Sequence, residues 1–306
     1  MTSLKKFIGF PVFIVVLLAG VLITYNNESN SKAIIQPTNP IEFGIFDGER
    51  ALKDLEFQVS LSPRTPGSKS HETVRKWIVE QLKLNGWSTK IQSDTYNNEH
   101  IYNLIGNYSE DTPYILIGAH YDSRYYSDQD PDPSLRNKPV PGANDGASGV
   151  SVLLELARTI PEASRKNVWL VFFDAEDQGR INGWDWIIGS QSFVNQIPVL
   201  PQKVIIVDMV GDKDLQLFYE SNSDADLQQE IWNIAAESGH QNIFHQQFKH
   251  TILDDHIPFA KLGIPSIVII DIDYPYWHTT QDLTDKVSAK SLHAVGSTIL
   301  KWISEQ

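Results

Sequence analysis

Short apolar runs alternate along the chain with longer segments of helical periodicity. The most apolar runs cover residues 114–119, 168–173, 203–207 and 266–270. Strands that are buried on both faces give continuous apolar runs, and such strands belong to parallel sheets that helices cover. The sequence therefore predicts an α/β protein, a three-layer α/β/α sandwich whose central sheet is mixed but mostly parallel.

Further strands and helices are predicted between these runs. Short strands are expected at 87–91, 102–108 and 215–220. Apolar residues recur at helical spacing within 46–59 and at 71–84, 150–157, 189–197, 224–239, 257–262 and 289–304. The closing helix, 289–304, is amphipathic and is expected to cover one face of the sheet.

The N-terminal segment differs in composition from the rest of the chain, because it contains one long apolar run. Lys5 and Lys6 precede an apolar run, 7–25, that is long enough to cross a bilayer. We expect residues 1–6 to stay cytoplasmic, 7–25 to be a transmembrane anchor, 26–44 to be a linker and 45–306 to be one catalytic domain outside the cytoplasm. A single-pass protein of the cell membrane follows. If the apolar run is instead a cleaved signal, the protein is secreted or periplasmic.

Charge and cysteine content exclude several functions. The 306 residues carry a net charge of −13, which argues against nucleic acid as a partner but is compatible with a cationic ligand such as a peptide amino terminus. The chain has no cysteine, so disulfides, thiol catalysis and thiolate metal ligands are excluded. Any metal must be bound by His, Asp and Glu.

Such residues stand where apolar runs end, and ligands of open α/β sheets collect beyond the carboxyl ends of the strands. Asp145 adds a carboxylate within the glycine-rich turn 142–149, where small neighbours leave it accessible. Imidazole and carboxylate at these positions predict a zinc site. The residues concerned are His120, Asp122, Asp145, Glu176, Asp177, Asp208 and His278.

Within two pairs of these residues, the members are expected to have different roles at the metal. In His120-x-Asp122 the carboxylate can orient the histidine without binding the metal itself. In Glu176-Asp177 one carboxylate can bind the metal while its neighbour acts as general base, because ligation and proton transfer need separate groups.

An ordered series of motifs resembles the M28 metallopeptidase family and, within it, the animal-type glutaminyl-peptide cyclotransferases. The resemblance implies a zinc-dependent exopeptidase-like fold and extends from about residue 63 to residue 302. The matching stretches are 63–68 (PRTPGS), 118–123 (GAHYDS), 142–149 (GANDGASG), 172–177 (FFDAED) with Gly189-Ser190, Asp208, 254–259 (DDHIPF) and 277–279 (WHT).

The resemblance also implies roles for individual residues. Asp145, Asp177 and His278 would hold the zinc common to both branches of the family. His120 and Asp208 would complete a second zinc site, with Asp145 bridging. Glu176 would be the general acid/base, sharing protons with Asp208 and Asp254. Asp177 departs from the more usual Glu and is one methylene shorter.

Three functions remain open at this point. A cyclotransferase with one zinc would convert N-terminal Gln of peptides to pyroglutamate with release of ammonia, in a pocket formed by Trp277 and Asp255 with Trp184 and Trp186 as a further wall. An aminopeptidase with up to two zinc ions would hydrolyse the first peptide bond. A non-catalytic extracellular binding domain would be expected to lack Glu176 or several ligands, and this chain keeps them.

Overall fold

The computed structural model describes residues 44–108 and 113–306. The predicted cytoplasmic flank 1–6, the predicted anchor 7–25 and all but the last residue of the predicted linker 26–44 lie outside the described residues. No helix within the two described ranges is both long and apolar enough to cross a bilayer.

Strands and helices alternate through most of the described chain. The strands are β1 Ser88–Tyr96, β2 Glu99–Asn107, β3 Ile115–His120, β4 Val168–Phe173, β5 Lys203–Asp208, β6 Leu217–Glu220, β7 Phe244–His250 and β8 Ser266–Ile270. The helices are α1 Gly48–Ser60, α2 Lys69–Leu84, α3 Ala147–Thr159, α4 Glu162–Arg165, α5 Ile188–Gln196, α6 Ala225–Glu237, α7 Ile257–Ala260 and α8 Ala289–Ser304, with a 3₁₀ turn at Thr284–Lys286.

Six strands form the central sheet in the order β1-β2-β4-β3-β5-β8. The pairs β3–β4, β3–β5 and β5–β8 are parallel, whereas β1–β2 and β2–β4 are antiparallel. All residues of β3, β4 and β8 are buried, as expected for strands covered on both faces. The predicted mixed but mostly parallel sheet is confirmed.

Alternate residues of the central strands supply two separate cores. Val168, Leu170 and Phe172 of β4 belong to a core that also contains residues of α1, α2, α3, α6 and α8. Trp169 and Phe173 of the same strand belong to a second core with residues of α5 and α7. Side chains that alternate across a strand therefore place helices on both faces, which confirms the three-layer sandwich.

Helix α3 lies directly on the sheet because Gly149 has no side chain. A Cβ at this position would stand 2.1 Å from the carbonyl oxygen of Val207 in β5. The first turn of α3 is thereby held against the end of β5. The preceding turn, which carries Asp145, starts from this fixed point.

Two parts of the predicted secondary structure need correction. The strands expected at 87–91 and 102–108 are nine-residue strands, β1 and β2, of one hairpin. Its turn uses Asn97 and Asn98 with φ of 48° and 66°, which asparagine tolerates. The strand expected at 215–220 lies outside the central sheet, because β6 pairs in parallel with β7, a mostly exposed strand that its polar sequence did not predict.

Candidate metal centre

The predicted ligands come together at the carboxyl edge of the parallel strands. His120 and Asp208 are the last residues of β3 and β5. Asp177 follows β4, and His278 lies in the connection from β8 to α8. Asp145 enters from the turn before α3, and all five side chains are buried.

Two groups of three residues share Asp145. In the first triad, His120 Nε2 lies 3.1 Å from Asp145 Oδ1 and 3.1 Å from Asp208 Oδ1. In the second triad, His278 Nε2 lies 2.8 Å from Asp177 Oδ1 and 3.6 Å from Asp145 Oδ2. One oxygen of Asp145 therefore faces each histidine, as a bridging carboxylate would.

Buried side-chain atoms without a hydrogen-bond partner indicate whether these residues fit a metal. In the described structure, Asp145 Oδ2, Asp177 Oδ2 and His278 Nε2 are buried without a hydrogen-bond partner. Although His278 Nε2 is close to Asp177 Oδ1, the pair is not aligned as a hydrogen bond. Buried lone pairs without partners are costly, and a cation ligated by them removes that cost. Two carboxylates and one imidazole fit zinc.

Asp122 supports the site without belonging to either triad. Its carboxylate accepts hydrogen bonds from the backbone N–H groups of Glu176 at 3.1 Å and Asp177 at 3.4 Å, and from Gln178 Nε2 at 2.9 Å. Asp122 Oδ1 also lies 3.4 Å from His120 Nδ1. One buried side chain thus orients His120 and fixes the loop that carries Glu176 and Asp177.

Sequence reasoning missed Asp282, which fixes the turn of Asp145. The Asp282 carboxylate accepts the backbone N–H groups of Asn144 at 2.8 Å and Asp145 at 3.1 Å, and the Tyr274 hydroxyl at 2.8 Å. Burial, with the charge of Asp145, raises the pKa of Asp282 to about 7. An Asp in a loop four residues after His278 carries no sequence signal for this role.

Arg64 holds the same turn from the other side. Its buried guanidinium donates to the carbonyl oxygens of Gly142 at 2.7 Å and Pro141 at 3.0 Å. Burial lowers the pKa of Arg64 to about 10. The string PRTPGS (63–68) thus has a structural role, because its arginine holds the glycine-rich turn.

Three positions at the site have left-handed backbone conformations that are unusual outside glycine. Ala175, just before Glu176, has φ of 51°, Met209, just after Asp208, has φ of 45°, and His278 itself has φ of 55°. Such conformations cost on the order of 1–3 kcal/mol each and cluster at functional sites. The surrounding contacts therefore hold these side chains in place against local preference.

Three buried carboxylates at the site, Glu176, Asp254 and Asp208, have pKa values above their usual range. Burial raises the pKa of Glu176 well above its usual value; His120 opposes the shift, and Asp177 and Asp254 add to it. Burial, with the charge of Asp208, does the same for Asp254, and burial also raises the pKa of Asp208. Carboxylates that interact in this way titrate as a group and can share protons.

A cavity of about 270 Å³ opens onto both triads. Its lining includes the carboxylates of Glu176 and Asp254 and the indoles of Trp186 and Trp277. The His278 ring stacks on Trp277 at 3.8 Å between centroids and lies nearly parallel to Trp186 at 6.0 Å. Two indoles therefore stack with His278, a predicted zinc ligand, and line the space beside it.

Two predicted pocket residues do not line this cavity. Trp184 is buried in a small core with Ile101, Ala175 and Ile188, and Trp186 takes the wall position instead. Asp255 is fully buried; burial raises its pKa to about 7 against the opposing effect of Ser190. Its neighbour Asp254 faces the cavity, because adjacent residues of the loop point in different directions.

Comparison with known proteins identifies the family. The model of peptidase family M28 matches residues 103–303, about two thirds of the chain. The chain belongs to peptidase family M28.

Among solved structures, the M28 chain is similar to a glutaminyl cyclase from Tannerella forsythia, with a TM-score of 0.79 and 32% identity over 86% of this chain and 99% of that one. A Zn-dependent exopeptidase from Parabacteroides distasonis has a TM-score of 0.79 and 30% identity over 87% of this chain and 100% of that one. A glutaminyl-peptide cyclotransferase from Gloydius blomhoffii is 23% identical over 80% of this chain and 78% of its own length.

Proposed function

We propose that the protein is a zinc-dependent glutaminyl-peptide cyclotransferase, which converts an N-terminal Gln of peptides to pyroglutamate and releases ammonia. The observation that carries this proposal is the cavity lined by Trp186 and Trp277, whose indoles both stack with His278, and by the carboxylates of Glu176 and Asp254. Apolar walls of this kind suit the methylene groups of a glutamine side chain, and the buried carboxylates suit its positively charged amino terminus. Similarity to the Tannerella forsythia cyclase supports the same conclusion.

The residues of the chain divide the reaction among them. Asp145, Asp177 and His278 would hold the zinc, which when bound supplies a Lewis acid that polarises the side-chain amide. The α-amino nitrogen forms a bond to the side-chain carbonyl carbon, the bond from that carbon to the amide nitrogen breaks, and ammonia leaves. Glu176 accepts the proton from the attacking nitrogen and delivers one to the leaving nitrogen.

Other residues serve the same step indirectly. Asp208 and Asp254 line the same cavity as Glu176 and extend the group among which the proton is shared. Trp186 and Trp277 hold the side chain in a folded conformation and exclude water, which has no part in the cyclisation. Asp122 keeps Glu176 in place through its backbone N–H.

We further propose a single zinc ion in the triad of Asp145, Asp177 and His278. Each of these three residues has a buried side-chain atom without a hydrogen-bond partner among the described residues. In the other triad, His120 Nε2 already forms a hydrogen bond with Asp208 Oδ1 at 3.1 Å. Metal analysis of the purified full-length chain tests this, because two zinc ions per chain would contradict the proposal.

A second candidate function is that of an M28 aminopeptidase. The complete set of His120, Asp145, Asp177, Asp208 and His278 favours it, as does similarity to the Zn-dependent exopeptidase. Mass spectrometry of zinc-loaded full-length protein with Gln-Ala peptides separates the two functions. Loss of ammonia from the intact peptide supports the cyclotransferase, whereas release of the first residue, also from peptides without Gln, supports the aminopeptidase.

The predicted location completes the proposal. We propose that residues 7–25 tether the catalytic domain to the outer side of the cell membrane, on the strength of their apolar sequence and the preceding lysines. Fractionation followed by N-terminal sequencing tests it. A mature chain that begins after Tyr25 and is released from the membrane would instead establish a secreted or periplasmic protein.

A further inference from the structure

Arg180 lies at the cavity that opens onto the triads, and the proposed reaction gives it no role. Among the described residues that line this cavity it is the only Lys or Arg. Its side chain is exposed and, within the described part of the chain, takes part in no ion pair or side-chain hydrogen bond. The carboxylates lining the same cavity are Asp145, Glu176, Asp177, Asp208 and Asp254.

The backbone that leads to Arg180 is fixed. Arg124 donates hydrogen bonds to the carbonyl oxygens of Asp177 at 2.8 Å and Gly179 at 3.1 Å. Gly179 lies flat against Trp186, since a Cβ there would stand 2.0 Å from the indole. The N–H of Arg180 donates to the carbonyl oxygen of Trp184 at 2.9 Å.

Arg180 adopts a conformation that its own residue type disfavours. Its φ is 66°, which a non-glycine residue takes only where the surroundings impose it. The loop thus presents a free guanidinium from a rigid base. A charged side chain that the fold holds at a cavity without giving it a partner is available to a ligand.

We propose that Arg180 binds a carboxylate of the substrate downstream of its N-terminal residue. The inference rests on the proposed function, because it requires that a peptide amino terminus enters this cavity. The buried carboxylates attract that amino terminus inward, and the rest of the peptide leaves through the opening beside Arg180. An acidic side chain or the C-terminal carboxylate of a short peptide then meets the guanidinium, whose fork of donors matches a carboxylate.

Without the positive charge of Arg180, the acidic side chains of the cavity would repel such substrates. The chain as a whole carries a net charge of −13, so a peptide with an additional negative charge approaches against its field. Arg180 therefore makes acidic peptides acceptable at a site whose other charges disfavour them. The residue is specificity-determining and has no part in the bond-making step.

The test compares matched peptides with the zinc-loaded full-length protein. Gln-Ala and Gln-Ala amide differ only in the terminal carboxylate, and Gln-Glu-Ala amide and Gln-Gln-Ala amide differ only in the side-chain charge. For at least one pair we expect the acidic peptide to have a kcat/KM about two- to fivefold higher, mainly through KM. Raising the ionic strength should reduce this ratio.

Variants assign the preference to one side chain. In Arg180→Gln the ratio within the responsive pair should fall to about one or below, whereas Arg180→Lys should keep part of it. Lys261→Gln is the matched control, because it removes the same charge from an exposed position that does not line the cavity. Wild-type ratios of one for both pairs, or a ratio that survives Arg180→Gln, would overturn the proposal.

The design separates this inference from the proposed function. Calorimetric titration of the same peptides into the Glu176→Gln variant, with and without Arg180→Gln, measures binding when no bond is made. If no peptide loses ammonia, the proposed cyclotransferase fails, yet a binding preference that depends on Arg180 still supports the subsite. A preference confined to Gln-Ala identifies the terminal carboxylate as the ligand, and one confined to Gln-Glu-Ala amide identifies the side chain.

Discussion

The two triads share Asp145 but differ in how far the protein itself satisfies them. In the triad of His120, the imidazole is hydrogen-bonded to a carboxylate at each nitrogen, to Asp208 at Nε2 and to Asp122 at Nδ1. In the triad of His278, buried atoms on all three residues lack a hydrogen bond among the residues that the structure describes. The first triad is closed by internal contacts, and the second is open.

This difference in hydrogen bonding indicates which residues need a cation. Both triads consist of one histidine and two aspartates, so residue type alone does not distinguish them. Only the placement of hydrogen-bond partners distinguishes a cluster that is stable by itself from one whose lone pairs converge without a donor. Stacking of Trp277 and Trp186 around His278 sets the open triad apart further, because it places the substrate walls there.

The largest effect is expected from removing His278. In His278→Ala the zinc should be lost, and cyclisation should fall by more than about 10³-fold, because a bound metal contributes several kcal/mol to such reactions. His120→Ala should keep its zinc and part of its activity. Elemental analysis of both variants, with circular dichroism to check folding, measures this. Equal loss of zinc from the two variants would remove the distinction between the triads.

Glu176→Gln should separate metal binding from proton transfer. The amide keeps the shape of the side chain but cannot accept and return a proton, so kcat should fall by about 10²–10⁴-fold. Zinc content should stay at the wild-type level, because Glu176 belongs to neither triad. The measurements are steady-state rates and metal analysis on the same preparation. Wild-type rates in this variant would exclude Glu176 as the acid/base.

Asp122→Asn tests the link between the closed triad and the catalytic loop. The carboxylate accepts from Glu176 N, Asp177 N and Gln178 Nε2, and an amide nitrogen in its place would face donors. Activity should fall by about 10–100-fold, as is typical when a partner of metal-site residues is lost. Rates and thermal unfolding are compared with those of wild type. A variant with normal kcat would show that the loop holds Glu176 without Asp122.

The smallest effect concerns Asp271, a buried carboxylate outside both triads. Burial raises its pKa from 3.8 to about 6, so the folded state favours the protonated form. The stability this contributes is present below pH 3.8 and is lost as the pH rises through 6. Relative to Asp271→Asn, wild type should lose up to about 3 kcal/mol of unfolding free energy between pH 4 and 7. Denaturant unfolding at both pH values measures it, and parallel pH profiles would contradict the shift.

The sequence predicted those parts of the fold and site that depend on local pattern. Strands β4 and β8 and helix α8 have the predicted bounds, because continuous apolar runs and an amphipathic period are properties of adjacent residues. The convergence of His120, Asp177 and Asp208 was predictable because polar residues that follow neighbouring parallel strands lie at one edge of the sheet, and the motifs around Asp145 and His278 assigned those two residues to the same site.

Other parts depend on contacts that no local pattern contains. Strand β7 is mostly polar and exposed, so it lacks the apolar signal of a strand. Trp184 and Trp186 lie two residues apart in a loop with several left-handed residues, among them Asn182 at φ of 50°, so no regular period indicates which of the two lines the cavity. Asp282 acts through backbone N–H groups 137 and 138 residues away along the chain.

Gly179 lies flat against Trp186, so the shape of the substrate site can be changed by substitution at this one position. Since a Cβ at residue 179 would stand 2.0 Å from the indole, any larger side chain there must displace Trp186, which lines the cavity. Redesign of the N-terminal residues that the site accepts therefore has a starting point at a residue outside the cavity lining. The same reasoning identifies Gly179 as a point at which family members with different side chains would differ in the amino termini they accept.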